Sequence, residues 1–255
     1  MDIAGYNSQA WDRQVAKDSP WTRPVDADTI ARARAGDWAI VLTPDKAVPR
    51  HWLGTLKGKK VLCLAGGGGQ QGPVLAAAGA KVTVLDNAAG QLAQDELVAR
   101  RDGLALVLEQ GDMRDLGRFA DASFDLIVHP CANCFVPDIQ PVWDECARVL
   151  KPGGRLLAGF LKPEFFLFDD QAMEAGKLVV RHRLPYSDLS HLGEAELAAL
   201  KEAGEPLMFS HGLEAQLGGQ LRAGLRLLEL YEDGWRGHVS GDYFFPCMAS
   251  LAVRD

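Results

Sequence analysis

A chain of 255 residues with 47% hydrophobic composition can bury one substantial core, with at most a modest appended cap. Its formal charge of −7 disfavours nonspecific attraction to nucleic acid or an anionic membrane and points to a small substrate. No apolar run approaches the ~20 residues that span a bilayer, no basic start leads into an apolar segment, and the five cysteines (Cys63, Cys131, Cys134, Cys146 and Cys247) are odd in number and dispersed. These features predict a cytoplasmic chain without a disulfide framework.

Residues 1–56 hold Trp11, Trp21, Trp38 and Trp52 among polar and turn-forming residues and read as a mixed helical and irregular cap or lid. From residue 57 the pattern changes. VLCLA (61–65), KVTVLD (81–86), LALVLE (104–109) and FDLIVHP (124–130) are short apolar runs predicted to be strands, with PVLAAAG, AGQLAQDELVARR and VWDECARVL as the helices between them. Asp138 and Pro141 are placed to start the last of these helices. Alternating strands and helices predict a mainly parallel sheet covered on both faces. KPGG (151–154) ends the third helix and turns the chain into RLLAGF, a fifth strand. A substrate-facing insertion is expected around 161–193, then helical segments in GEAELAALKEAG and HGLEAQLGGQLRAG. LRLLELYED and YFFPCMASLAVRD read as two closing strands. The expected domain therefore runs from 57 to 255.

The strand near Val61 leads into GGGGQQG and an alanine-rich helix. Glycines let a backbone turn sharply and approach a ligand without a side-chain clash, and the amides at the start of the helix are donors. The same string fits G-x-G-x-x-G from Gly67, so spacing alone also admits a nicotinamide cofactor. Asp86 ends the next strand, where a carboxylate can accept from two ribose hydroxyls. Asn87 offers a second polar contact or a helix cap. In EQGDMRDL, Asp112 can meet an exocyclic adenine amine and Met113 can cover the ring.

In this combination the sequence resembles the class I S-adenosylmethionine-dependent methyltransferase family, most closely over residues 57–160. The resemblance implies that Ala65, Gly66, Gly67 and Gly69 hold the amino-acid portion of the cofactor, that Asp86 is the ribose-binding acid, and that Asp112 lies near adenine. It implies that FDLIVHP ends facing the cofactor, and VLKPGGRLL is also characteristic of the family. A Rossmann-like fold follows, with a seven-stranded, mostly parallel sheet in the order 3-2-1-4-5-7-6, helices on both faces and the last strand antiparallel. Two positions depart from the family pattern. Cys63 stands where an acid is usual, and Ala65 where the first glycine is usual.

Methyl transfer needs an electron-rich acceptor atom aligned opposite the departing sulfur, and holding that geometry can supply much of the catalysis. In HPCANCF, His129 and Pro130 are candidate cofactor contacts, His129 is the one candidate base, and Asn133 is placed to orient an acceptor. The lone C-x-x-C of Cys131 and Cys134 lacks the second pair of a closed zinc site, so no metal is expected. By resemblance to small-molecule methyltransferases with an N-terminal lid, Tyr6 and Asn7 would touch cofactor or acceptor and Trp11 would close an apolar wall. Tyr186, His211 and Tyr243 carry chemistry suited to a polar or aromatic acceptor, and Glu214 lies three residues after His211. The expected activity is methyl transfer from S-adenosylmethionine to a small molecule. A nicotinamide-dependent oxidoreductase and a noncatalytic cofactor-binding or interaction module are the alternatives. Composition and spacing fix neither the acceptor nor the oligomeric state.

Overall fold

The apolar runs become strands because their side chains alternate between two buried layers. In the computed structural model, which describes residues 1–255, β1 (Lys60–Leu64) sends Val61 and Cys63 into one core cluster and Leu62 and Leu64 into another. β4 (Phe124–His129) divides in the same way, Leu126 and Val128 against Ile127. Strands buried on both faces read as continuous apolar runs rather than as clean alternation. Burying each such leucine or valine contributes about 1.5–3 kcal/mol.

β2 (Lys81–Asp86), β3 (Leu106–Gln110), β5 (Leu150–Leu161), β6 (Leu225–Asp233) and β7 (Cys247–Arg254) complete one seven-stranded sheet in the order β3-β2-β1-β4-β5-β7-β6. The first five strands are parallel along it, whereas β7 runs antiparallel to both β5 and β6. The order and the antiparallel last strand match the expectation. Local chemistry shifts two boundaries. β3 begins at Leu106 rather than Leu104, because Gly103 at φ 62° caps the preceding helix and the Leu104 amide bonds back to Ala99. β5 begins at Leu150, with KPGG a bulge inside the strand: the register jumps from Phe124–Leu150 to Leu126–Arg155, and Gly153 takes φ 74°.

Ahead of β1 lie α1 (Ile3–Ala16), α2 (Ala27–Arg34) and α3 (Arg50–Leu53). Ile30, Ala33, Ile40, Leu42, Val48, Trp52, Leu53 and Leu56 from this stretch join the Val61 layer, so much of it is continuous with the sheet's own core. α4 (Gln71–Ala77), α5 (Ala89–Asp102) and α6 (Gln140–Val149) are the crossovers. Asp138 accepts from the Gln140 amide at 3.0 Å and Pro141 lies in the first turn of α6, as that sequence predicts. Between β5 and β6 lie α7 (Asp170–Glu174), α8 (Asp188–His191), α9 (Glu194–Ala203) and α10 (Gly219–Arg222). Ahead of α10, Glu214–Gly218 is a π-helical turn rather than regular helix. Gly219 there lies so close to Trp143 that a Cβ would fall 2.5 Å from the indole Cδ1, and the Trp143 Nε1–H donates to the Ala215 carbonyl at 3.0 Å.

Candidate active site

The carboxyl ends of β1, β2 and β4 open on a cavity of about 610 Å³, within the size range of ligand pockets. One end is built by the glycine loop. Ala65, its amide bonded to the Leu85 carbonyl at 2.8 Å, sits at φ 47°, a left-handed conformation that costs a residue with a Cβ about 1–2 kcal/mol. Gly67 is required by close approach, since a Cβ there would lie 2.8 Å from Gln91 Cβ and 3.0 Å from Asp86 Oδ2. Asp86 is buried and accepts from the Gly67 amide through Oδ2 and from the Ala88 amide through Oδ1, each at 3.0 Å. Burial pushes its carboxyl above the usual range while these amides pull it back.

Asp112 is held in a fork by Arg114, Nε to Oδ1 at 3.1 Å and Nη2 to Oδ2 at 2.6 Å. Burial works to raise its pKa, but the Arg114 bonds outweigh it and hold the carboxyl below its ordinary value. Oδ1 also accepts from the Arg114 backbone amide at 2.9 Å, so main chain and side chain of Arg114 together fix the carboxylate. Ala65, Gly66, Gly67, Asp86, Asn87, Asp112, Met113 and Pro130 all line the cavity, as do Asn7 and Trp11 of α1.

Seven sequence candidates lie off its walls. Gly69 turns away at φ 71°, packed against Pro24 and the Gln94 carbonyl. His129 is fully buried. Its Nδ1 donates to the Leu64 carbonyl at 2.8 Å, and its Nε2 lies 2.8 Å from the Asn133 side-chain amide, which meets Gln216 Oε1 at 2.7 Å. Burial lowers its pKa while the Leu64 and Asn133 bonds work to raise it, and with both ring nitrogens occupied His129 and Asn133 form a core network rather than a base and an acceptor contact. His211 is buried against the Asn133 and Val136 carbonyls, which its Nε2 approaches at 3.0 and 2.9 Å. Tyr6 donates its hydroxyl to the Glu205 carbonyl at 2.9 Å. Tyr186 is buried in a satellite cluster and donates to Asp188 Oδ1 at 2.6 Å. Tyr243 is 74% exposed.

The far end of the cavity comes partly from the expected insertion around 161–193 and partly from later residues that the sequence did not single out. Leu161, Phe165, Met173, Met208 and Trp235 supply apolar wall, and Asp170, Glu174, Asp188 and Glu205 supply carboxylates. Burial, reinforced by the charges of Asp188, Asp169 and Glu174, pushes Asp170 up to about 6. His238 is the one histidine on the lining, stacked on Trp235 with ring centroids 4.6 Å apart, and burial lowers its pKa. The signal for this end was faint in the sequence, because its residues are scattered between 161 and 238.

A dehydrogenase-type dinucleotide fold carries an all-parallel sheet in the order 3-2-1-4-5-6, which the antiparallel β7 between β5 and β6 contradicts. Residues 62–158 match the family described as a methyltransferase domain. Along nearly its whole length the chain is 48% identical to the uncharacterized methyltransferase YbaJ of Bacillus subtilis (strain 168), over 252 residues that cover 99% of this chain and 98% of that protein. The chain belongs to the class I S-adenosylmethionine-dependent methyltransferases. The fold agrees. An S-adenosylmethionine-dependent methyltransferase from Mesorhizobium loti superposes with a TM-score of 0.61 at 18% identity, covering 80% of this chain and 95% of that one. One from Listeria monocytogenes, given as a putative member, superposes with 0.63 at 16%, covering 81% and 94%.

The residues of this methyltransferase suit the donor its family uses. The loop is too tight at Gly67 for any side chain, Asp86 offers a buried carboxylate to hydroxyl groups, and Met113 presents an apolar surface beside Asp112. No helix is long and apolar enough to cross a membrane.

Proposed function

We propose that this methyltransferase binds S-adenosylmethionine at the end of the cavity formed by Ala65, Gly66, Gly67, Asp86 and Asp112 and methylates a small molecule held at the other. The single observation that carries this reading is the continuity of the cavity: one space is lined by the glycine loop and Asp86 and also by Phe165, Asp170 and Trp235. When bound, the donor supplies an electrophilic methyl group on a sulfonium.

The chain's own residues do the rest. Asp86 accepts from the ribose hydroxyls, each charged bond contributing about 1.5–3 kcal/mol before desolvation. Asn87 would add a polar contact from the same strand end, Asp112 would accept from the adenine amine, Met113 would cover the ring, and Pro130, packed beside Gly66, would add a further cofactor contact. Helix α1 acts as the lid. Asn7 pins it by donating to the Phe135 and Leu207 carbonyls and accepting from the Leu207 amide. Trp11 meets Phe135 edge-on at 5.1 Å and closes the apolar wall, excluding water from the transfer.

The acceptor is uncharged or cationic. Six carboxylates line the cavity, and the one guanidinium among them, Arg114, is committed to Asp112. That field repels phosphate-bearing acceptors, nucleic acid included. An acceptor that must lose a proton has two titratable side chains within the same walls, His238 and Asp170, of which burial brings Asp170 up to about 6.

The test is transfer of labelled methyl from S-adenosylmethionine into a cell extract fractionated by molecular size, with the product identified by mass spectrometry. Label is expected in the low-mass, uncharged or cationic fraction. Label confined to protein or nucleic acid would overturn the acceptor assignment.

A further inference from the structure

We propose that Asp95, a carboxylate on α5 to which neither the sequence nor the family resemblance gives a role, is a positioning residue for the cofactor loop: it fixes the Gly68 amide and so the turn that follows Ala65. The inference rests on the reading that this loop holds S-adenosylmethionine. Asp95 is fully buried, its Oδ2 accepts from the Gly68 amide at 3.0 Å, and its Oδ1 has no hydrogen-bond partner. The same amide reaches the Gln91 carbonyl at 3.0 Å, so α5 grips the loop twice, one helical turn apart. Gly68 takes φ 106°, which only glycine adopts freely, leaving the loop in need of an external hold.

Space has been kept for this carboxylate. A Cβ at Gly72 would stand 3.1 Å from Asp95 Oδ1 and 2.8 Å from Val84 Cγ2. Gln91, Leu92, Asp95 and Val98 form the buried stripe of α5, where an apolar residue would be the stabilising choice. With Oδ1 unpaired, the bond from Oδ2 to the Gly68 amide is the contact this buried carboxylate makes. Cys63 on β1 is a fully buried thiol whose pKa is raised first by burial and then by the charge of Asp95. Burial brings the Asp95 carboxyl up to about 7, with Asp86 adding to the rise, so the hold varies near neutrality. The ionisable groups that face it are Asp86 from β2 and the Cys63 thiol from β1, while α4, QGPVLAA, carries none.

The test measures S-adenosylmethionine binding by calorimetry from about pH 5.5 to about pH 8.5 for wild type, Asp95→Asn and Asp86→Asn, alongside the Gly68 amide resonance of each full-length chain without cofactor. In wild type the Gly68 resonance should titrate with a midpoint near neutrality and affinity should rise with pH, because bound cationic groups favour the ionised carboxylate. Asp95→Asn should bind about tenfold more weakly at the alkaline end, with neither titration. Asp86→Asn should bind weakly yet keep the Gly68 titration. A Gly68 titration unchanged in Asp95→Asn, or an affinity within about twofold of a tightly binding wild type, overturns the role of Asp95 alone. Failure of wild type to bind at any pH overturns the methyl-donor reading and this inference with it.

Discussion

Replacing Asp95 by asparagine should stabilise the protein without cofactor, by an amount that grows with pH. The folded carboxyl titrates at about 7 instead of its ordinary 3.8, chiefly because it is buried. Between those values the unfolded chain has released the proton and the folded chain still holds it, so wild-type stability falls as pH rises through that window. At about 1.36 kcal/mol per pH unit the fall approaches ~4 kcal/mol, an upper bound because the surroundings relax around the charge. Asparagine keeps the shape and an acceptor for the Gly68 amide but never ionises. The two proteins should therefore be nearly equal in stability near pH 4 and differ by about 2–4 kcal/mol at pH 8, on the order of 5–10 °C in Tm for a chain of this size. Urea melts of both proteins across this range, followed by tryptophan fluorescence, measure the difference directly. A difference that stays constant with pH, or an asparagine variant less stable than wild type at pH 8, would refute the reasoning.

Removing the Asp86 carboxylate with Asp86→Ala should raise the Kd for S-adenosylmethionine at least about 10- to 100-fold by calorimetry, since one charged hydrogen bond alone accounts for that much and two ribose hydroxyls lose their acceptor. Ala65→Gly relieves the φ 47° conformation; the ~1–2 kcal/mol recovered there exceeds the ~0.4–1 kcal/mol that glycine adds to unfolded-chain entropy, so a small gain in Tm is expected. His129→Gln should flatten the acid limb of stability while leaving the pH profile of methyl transfer in place. Burial lowers the His129 pKa, so the contribution of the neutral ring is present above its unfolded pKa and lost as pH falls below it; a histidine-like inflection in activity that vanishes with this variant would restore His129 as a base. Asn7→Ala strips three hydrogen bonds between α1 and the Phe135 and Leu207 backbone, and amide exchange of α1 should quicken at least about tenfold.

What the sequence by itself determined is local. The apolar runs of β1, β2 and β4, the helix start at Asp138, the glycine turn and the placing of Asp86 at a strand end follow from side-chain periodicity and backbone sterics, which act over a few residues. The resemblance then supplied the strand order, which a run of strands and helices does not fix. The tertiary structure decided which polar groups reach the cavity. His129 has the residue type and strand-end position of a base, yet Leu64 and Asn133, on neighbouring elements, seal it into the core. Tyr243 and Tyr186 were named for their chemistry and stand elsewhere, while Asp170, Trp235 and His238 share one wall from distant parts of the chain. Asp95 is a carboxylate in the buried stripe of α5 whose partner Gly68 lies 27 residues away. Whether a side chain meets solvent, a ligand or another side chain depends on elements remote in sequence, and only their packing sets those distances.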